Sequence, residues 1–194
     1  MTMVKHVAVL LADGFEEGEA VIFIDMMRRL EIKVDVLSCM ETTALNSYFE
    51  TKISADYTLA EKFEQIYDAI MMPGGPQGTD YLSKNSKVIE FVKRHIKEKK
   101  YICALCSSSA KVLAANGLLE GRNYATGDGL SEHFLDGNYL DKKVVVDGSF
   151  ITGKGLGVSF EFSLTVGKIL LTDNSALVDF LAEHIYFDHW PLLR

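Results

Sequence analysis

Residues 101–117, YICALCSSSAKVLAANG, run from an apolar segment directly into a helical pattern. The first six residues are short, continuous and apolar, which is typical of a strand buried on both faces of a parallel sheet. From residue 107 to residue 116, apolar residues recur at the three- and four-residue intervals of an amphipathic helix. Cys106 therefore occupies a predicted strand-to-helix turn, and the stretch indicates an α/β fold.

The same alternation of strand and helix continues along the chain. Further predicted strands are HVAVLLA (6–12), KVDVLSC (33–39), YDAIMMP (67–73) and KKVVVDGSFIT (142–152). Further predicted helices are EAVIFIDMMRRL (19–30), SKVIEFVKRHIKEKK (86–100), SFEFSLTVGKILL (159–171) and SALVDFLAEHIYF (175–187). Residues 44–60 fit a helix poorly and predict a small antiparallel excursion. We therefore expect one domain over residues 1–194, with a mostly parallel sheet covered on both sides.

Composition and charge disfavour several classes of partner. The formal net charge is −7, and the main basic cluster, KRHIKEKK (93–100), is interpreted as the solvated face of a helix, so no nucleic-acid partner is expected. The first apolar run ends at Asp13, which is too short to span a bilayer, and no cleavage site follows it. The sequence predicts a cytoplasmic protein with no membrane association. Three cysteines, an odd number, predict reduced thiols rather than a disulfide framework.

Ligands of such folds bind at the carboxyl ends of the strands, where three turns are unusual. DGFEEGEA (13–20) concentrates acidic residues, PGGPQG (73–78) contains adjacent glycines, and the third turn holds Cys106. On its turn alone Cys106 is either a nucleophile or a small buried residue. A helix amino terminus beside it predicts a lowered thiol pKa. The neighbouring carboxylates and the double glycine favour the nucleophile, because they supply a proton partner and an anion site.

Rival motifs are weaker. In the C-x-x-C formed by Cys103 and Cys106, the first cysteine falls inside the predicted strand, so neither a redox pair nor a zinc site is expected. GKGLG (153–157) lacks the third glycine of a dinucleotide fingerprint and is interpreted as a tight turn or a close-packing site. The histidines share no metal-ligand spacing, and no metal is predicted.

Four segments of the chain resemble the signature blocks of the ThiJ/PfpI family, in order and spacing. They are VAVLLADGFEEGEAV (7–21), AIMMPGGPQGTDYL (69–82), YICALCSSSAKVLAANGLLEGRNYAT (101–126) and ITGKGLGVSFEFSL (151–164). Within the family, the branch of the parkinsonism-associated protein deglycase is the most similar. The resemblance implies a flavodoxin-like three-layer α/β/α sandwich, related to class I glutamine amidotransferases, with a small antiparallel hairpin.

The resemblance also implies the site residues. Cys106 matches the reactive cysteine of the family, and Glu19 matches the carboxyl group that hydrogen-bonds it. Gly74, Gly75 and Ser107 match the positions whose backbone forms the oxyanion and substrate site.

The chain also departs from the family pattern. Close relatives carry a histidine after the "AT" of the next strand, where this chain has Gly127 and Asp128, and the sequence leaves open whether His133 replaces it. Tyr48 stands where the branch has a basic residue. Ser107, Ser108 and Ser109 stand where relatives have small residues, one of them a glycine, which predicts a more polar pocket floor.

The implied activity is a cofactor-independent glyoxalase or deglycase acting on methylglyoxal or glyoxal, small 2-oxoaldehydes, in a protein that forms a homodimer. Cys106 would add to the aldehyde and Glu19 would shuttle the proton. An oxidative-stress sensor or chaperone without turnover is the alternative, because the same thiol could be oxidised beside a hydrogen-bonding carboxyl group. Amidase or peptidase activity ranks last, because it needs a base such as histidine beside the thiol.

Overall fold

A computed structural model describes residues 4–127 and 129–188 of the chain. The strands in these ranges are β1 (His6–Leu11), β2 (Lys33–Ser38), β3 (Ala44–Asn46), β4 (Lys52–Ser54), β5 (Tyr57–Thr58), β6 (Ala69–Met72), β7 (Tyr101–Leu105), β8 (Asn123–Tyr124), β9 (Asn138–Tyr139), β10 (Val144–Asp147) and β11 (Phe150–Gly153). The α-helices are α1 (Glu17–Arg29), α2 (Leu59–Lys62), α3 (Pro76–Lys84), α4 (Ser86–Lys97), α5 (Ser159–Leu170) and α6 (Ser175–His184). After β7 the chain continues as a π-helix (Ser109–Leu113) and a 3-10 turn (Ala114–Asn116).

One mostly parallel sheet organises the described residues. Its seven strands have the order β10-β11-β7-β6-β1-β2-β5, and only β10 runs antiparallel to its neighbour. Strand β1 lies near the centre, where Val9 pairs with Val36 of β2 and with Met71 of β6. Because β1, β6, β7 and β11 are adjacent and parallel, their carboxyl ends meet at one edge of the sheet.

Alternating residues of the strands face two separate apolar layers. In β1, Val7, Val9 and Leu11 face the layer that contains Phe23 of α1 and Phe162 of α5. Ala8 and Leu10 face the other layer, which also contains residues of α3, α4 and the helical segment after Cys106. Both layers are fully buried at these positions, which explains why the strand sequences are continuously apolar rather than alternating.

The predicted flavodoxin-like three-layer fold is confirmed, and so is the small antiparallel excursion, which is the hairpin of β3 and β4. Two local expectations are wrong. The run 142–152 is not one strand but the hairpin of β10 and β11, because Gly148 adopts a positive φ of 58° and reverses the chain. Residues 73–78 are expected to form a turn, but Pro76 already begins helix α3. Proline is favourable at this first helical position, because its missing N–H would have no partner within the helix.

In the described part of the chain, every helix is too short or too polar to cross a membrane. Nor do residues 4–127 and 129–188 bring three histidine, cysteine or acidic side chains together in a way that could hold a metal ion.

His95 links α4 to the start of β6 through both of its ring nitrogens. The side chain is fully buried. Its Nδ1 lies 2.8 Å from the carbonyl oxygen of Phe91 and therefore donates, while Nε2 accepts a hydrogen bond of 3.1 Å from the Tyr67 amide. Both contacts require the neutral ring, and burial lowers the pKa of His95 below its ordinary value. Protonation of the ring would place an N–H against the Tyr67 amide.

This arrangement predicts a pH-dependent contribution to stability. Because the folded-state pKa of His95 is lowered, its stabilisation is complete above about pH 6.5 and is lost as the pH falls below that value. We expect His95→Asn to lower the free energy of unfolding by about 1–2 kcal/mol at pH 7.5 through the lost hydrogen bond to Tyr67. The difference from wild type should shrink at pH 5, as measured by urea denaturation. His133→Asn, at an exposed histidine, is the control. If His95→Asn lowered the free energy of unfolding by the same amount at both pH values, the assignment of a neutral buried ring would be contradicted.

Candidate active site

Four neighbouring strand ends build the site. The turn after β1 leads into α1 with Glu19, and the turn after β6 carries Gly74 and Gly75. Cys106 follows β7 directly, and Gly155 follows β11. Because these strands are adjacent and parallel, residues far apart in sequence converge at one edge of the sheet, as the sequence predicted.

Cys106 occupies a sharp turn between β7 and the helix that follows. Its φ of 58° lies in the left-handed region, which side chains other than glycine rarely adopt. The turn is held on both sides, because the Cys106 amide donates to the Gly153 carbonyl at 2.9 Å and the Thr126 hydroxyl donates to the Cys106 carbonyl at 2.8 Å. The Ser108 hydroxyl contacts the carbonyls of Met72 and Leu105 at 2.7 and 2.8 Å. The surrounding structure thus imposes the strained conformation and lifts the thiol out of the sheet.

Glu19 brings a carboxyl group to this thiol from the first turn of α1. Its side chain is only 1% exposed. The Gly74 amide donates to Glu19 Oε2 at 2.7 Å, and the same carboxyl group hydrogen-bonds the Cys106 thiol. The family resemblance implied Glu19 among three nearby acids, and the structure brings this one to Cys106.

The other two acids of the turn have different surroundings. Glu17 accepts hydrogen bonds from the Thr51 hydroxyl at 3.0 Å and the Phe49 amide at 3.4 Å, so it anchors the chain between β3 and β4. Glu16 is half-buried, and its negative charge acts on both Glu19 and Cys106. Only Glu19 is therefore both buried and bonded to the thiol.

Two glycines let the backbone approach the thiol closely. A methyl group added at Gly74 would lie 2.6 Å from Cys106 Cβ and 3.0 Å from both Cys106 Sγ and Glu19 Oε2, which leaves no room for a side chain. At Gly155, φ is 155° and ψ is −163°, a region open essentially only to glycine. A methyl group there would lie 3.5 Å from Sγ and 3.7 Å from Glu19 Oε1. The GKGLG motif therefore forms a wall of the site, a role that its sequence alone did not reveal.

The backbone amides of Gly74, Gly75 and Ser107 differ in whether they already donate a hydrogen bond within the protein. The Gly74 amide is committed to Glu19. Within residues 4–127 and 129–188, the Gly75 amide has no hydrogen-bond acceptor, and Gly75 has a positive φ of 101°. The Ser107 amide begins the helix and hydrogen-bonds the thiol sulfur. Among the predicted anion-site residues, the Gly75 amide is thus available to a ligand and the Ser107 amide is directed at the sulfur, whereas the Gly74 amide holds the carboxyl group.

Burial governs the protonation of the central pair. Burial raises the pKa of Glu19 to about 7, the Gly74 hydrogen bond opposes this rise, and the charge of Glu16 adds to it. Burial and the negative charge of Glu19 raise the pKa of Cys106 to about 12, although the Ser107 amide acts to lower it. The expectation of a lowered thiol pKa is therefore wrong. The helix amide acts in the predicted direction, but desolvation and the neighbouring carboxylate outweigh it. At neutral pH the proton resides on sulfur and Glu19 is poised to accept it.

Gly127, at the position where the family resemblance implied a histidine, lies next to the thiol. A methyl group at Gly127 would lie 3.7 Å from Cys106 Sγ and 3.5 Å from a methyl carbon of Leu130, which is ordinary contact. Asp128 lies outside the described residues. His133 is exposed at the end of a short 3-10 turn, and no histidine in the described ranges hydrogen-bonds Cys106.

The two remaining cysteines lie elsewhere. Cys103 is fully buried within β7, as predicted, and Cys39 is half-buried after β2; burial raises the pKa of both thiols. All three cysteines are free thiols. Tyr48 is 41% exposed and contacts Phe49 edge to face.

Comparison with known proteins shows the family of the chain. Residues 5–168 match the DJ-1/PfpI family. The Parkinson disease protein 7 homolog of Danio rerio is 34% identical over 171 residues, which cover 86% of this chain and 90% of that protein. Protein DJ-1 homolog B of Arabidopsis thaliana is 32% identical over 161 residues, 83% of this chain, but the match spans only 37% of the plant protein.

Solved structures are similar over nearly the whole chain. A cysteine-to-alanine mutant of a DJ-1 superfamily protein from Salmonella typhimurium superimposes with a TM-score of 0.93 at 47% identity, covering 97% of this chain and 100% of that one. Oxidized DJ-1 of Toxoplasma gondii superimposes with a TM-score of 0.88 at 27% identity, covering 94% and 98%. The resemblance inferred from the four sequence blocks is confirmed, and the chain belongs to the DJ-1/PfpI family, near its DJ-1 branch.

Proposed function

We propose that this protein is a cofactor-independent glyoxalase or deglycase that converts methylglyoxal or glyoxal to the corresponding 2-hydroxy acid. One observation carries the proposal. A buried carboxyl group with a pKa raised to about 7 hydrogen-bonds a thiol at a strained strand-to-helix turn. A carboxyl group that gains and loses a proton near neutral pH is suited to general acid and base catalysis.

The first step is addition of the thiol to the aldehyde. The Cys106 sulfur bonds to the aldehyde carbon while its proton passes to the Glu19 carboxylate. The aldehyde oxygen becomes an oxyanion, for which the amides of Gly75 and Ser107 are the proposed donors. Return of the proton from Glu19 to this oxygen completes a neutral hemithioacetal and regenerates the carboxylate.

The second step moves a proton between the two carbons. Glu19 removes the hydrogen from the former aldehyde carbon and returns it to the neighbouring carbonyl carbon through an enediol. The hydroxyl proton on the former aldehyde carbon passes to the oxygen of the neighbouring carbonyl, which gives a thioester of a 2-hydroxy acid. Water then hydrolyses the thioester and releases the Cys106 thiol. The sum is one dicarbonyl plus one water giving one hydroxy acid, so methylglyoxal yields lactate and glyoxal yields glycolate.

Oxidation sensing is the second candidate function. Its support is that Glu19, with a pKa near 7, can carry a proton at neutral pH and donate it to an oxygen of an oxidised Cys106. One relative of known structure, the Toxoplasma gondii protein, is described as oxidized. The raised pKa of Cys106 weighs against this function, because the thiolate is the nucleophile that attacks peroxide. An amidase or peptidase has less support, since no histidine in the described ranges hydrogen-bonds the thiol.

Turnover of methylglyoxal distinguishes the two functions. We expect wild-type protein to release lactate, detected by chromatography, and Cys106→Ser to lose the activity, because the serine hydroxyl is a far weaker nucleophile beside the same carboxyl group. Cys39→Ser is the matched control at a thiol remote from the site and should remain active. Turnover by neither wild type nor Cys106→Ser would support the sensor instead.

The proton shuttle predicts a specific effect at Glu19. Glu19→Gln keeps the shape and the acceptor for the Gly74 amide but cannot carry a proton, so turnover should fall on the order of a hundredfold or more. Wild-type activity should fall as the pH drops below about 7, where the carboxylate is protonated, and this limb of the pH profile should be absent in Glu19→Gln.

Matched controls lie in the same turn. Glu16→Gln and Glu17→Gln should change turnover by less than about threefold, because neither carboxyl group bonds the thiol. Glu19→Gln should also be at least as stable as wild type at pH 8, since a raised pKa means that stability is lost as the pH rises through 7. Loss of activity in Glu17→Gln with a normal Glu19→Gln would contradict the assignment.

Substitution of Gly127 tests whether Cys106 and Glu19 suffice for catalysis without a histidine. We expect Gly127→His to change kcat/KM on methylglyoxal by less than about threefold, because Glu19 can perform both proton transfers. Gly127→Asn controls for the added bulk beside the thiol. His133→Ala should also be nearly silent, since that side chain is exposed. A large gain in Gly127→His would overturn the two-residue mechanism, and a large loss in His133→Ala would identify His133 as a further base.

A further inference from the structure

Two buried hydroxyl groups connect the turns that carry the available amide donors. Thr79 lies in the first helical turn of α3, which begins after Gly75, and it is fully buried. Ser107 begins the helix after Cys106 and is 7% exposed. Their hydroxyl oxygens lie 3.3 Å apart. The mechanism derived above uses neither hydroxyl group.

The direction of this hydrogen bond follows from proton counting. The single hydroxyl proton of Thr79 is directed to the Gly75 carbonyl at 2.8 Å, with a longer contact of 3.3 Å to the carbonyl of Pro76. Thr79 therefore offers a lone pair to Ser107, and Ser107 donates. A relay runs from the Ser107 hydroxyl through Thr79 to the Gly75 carbonyl.

This relay constrains residues on both sides of the thiol. The Gly75 carbonyl accepts from the Thr79 amide at 3.0 Å as well as from its hydroxyl, and Gly75 has the positive φ that orients its peptide groups. On the opposite side, the Ser107 side chain is held by the same threonine. Each hydroxyl is buried, and Thr79 would keep its bond to the Gly75 carbonyl, so separating the pair would leave the Ser107 hydroxyl without a partner among the described residues. The separation between the two turns is therefore fixed.

A second link between the same helices lies one turn further from the thiol. The Lys111 ammonium group donates to the Pro76 carbonyl at 3.3 Å and pairs with Asp80 at 2.8 Å. This pair is more exposed than the hydroxyl pair and does not involve either amide donor. Removing the Lys111 contacts therefore controls for a general weakening of the packing between α3 and the helix after Cys106.

We propose that Thr79 and Ser107 act through their hydroxyl groups as positioning residues, which set the distance between the Gly75 and Ser107 amides around the oxyanion formed at Cys106. The inference rests on the proposed function and deepens it, because it explains how the anion site is held. Amide donors stabilise an oxyanion only within about 2.7–3.1 Å of it, so a small shift of either turn weakens the transition state more than it weakens substrate binding. The relay itself makes and breaks no covalent bond.

Activity of Thr79 variants distinguishes the effect of the hydroxyl group from the effect of side-chain shape. Thr79→Val removes the hydroxyl at nearly constant volume, and we expect kcat on methylglyoxal to fall about tenfold with KM changed by less than about twofold. Thr79→Ser should restore most of kcat. Ser107→Ala should resemble Thr79→Val, and the double variant should be no worse than either single one, as expected for two halves of one contact. Lys111→Met should change kcat by less than about twofold.

A second readout does not depend on the substrate. Iodoacetamide labelling of Cys106, followed by mass spectrometry with Cys39 as the internal reference, should slow several-fold in Thr79→Val and recover in Thr79→Ser, because the Ser107 amide stabilises the thiolate. Absence of turnover in wild type would refute the proposed function, and the labelling would still decide the positioning role. Unchanged labelling and kcat in Thr79→Val, or equal impairment in Thr79→Ser, would overturn the proposal.

Discussion

The hydrogen bond of 2.7 Å from the Gly74 amide to the Glu19 carboxyl group is the contact on which the site depends. It fixes a carboxyl group that burial would otherwise disfavour in its charged form, and it holds that group against the Cys106 thiol. Near neutral pH the thiol keeps its proton, and the Glu19 carboxyl group, whose pKa is raised to about 7, can accept that proton and return it. Each helps to set the state of the other, so the pair behaves as a unit rather than as an acid and a nucleophile of independent strength.

The parallel sheet makes this contact possible. Glu19 and Gly74 lie 55 positions apart in the sequence. They meet each other and Cys106 because β1, β6 and β7 are neighbouring strands whose carboxyl ends share one edge of the sheet. Close approach then requires that Gly74 and Gly155 carry no side chain. The left-handed conformation of Cys106 adds a cost, which the hydrogen bonds to Gly153 and Thr126 offset.

Much of this could be predicted from the sequence, because the deciding signals are local. Continuous apolar runs identified the buried strands, and the change from strand to helix at Cys106 located the turn. The features that could not be predicted from the sequence depend on tertiary contacts. The thiol pKa rises because Glu19 and desolvation outweigh the helix amide. The role of Gly155 comes from its position over Cys106, and the relay through Thr79 joins two segments whose pairing leaves no pattern in the sequence.

The protonation of Glu19 can be observed directly by carbon NMR on protein labelled at the glutamate carboxyl carbons, with the Glu19 signal assigned by its absence in Glu19→Gln. The Glu19 resonance should titrate with a midpoint near pH 7, because burial raises its pKa to about that value. A midpoint near the ordinary glutamate value of about 4.3 would contradict the account, since the Glu19 carboxylate would then be too weak a base to take the thiol proton as described.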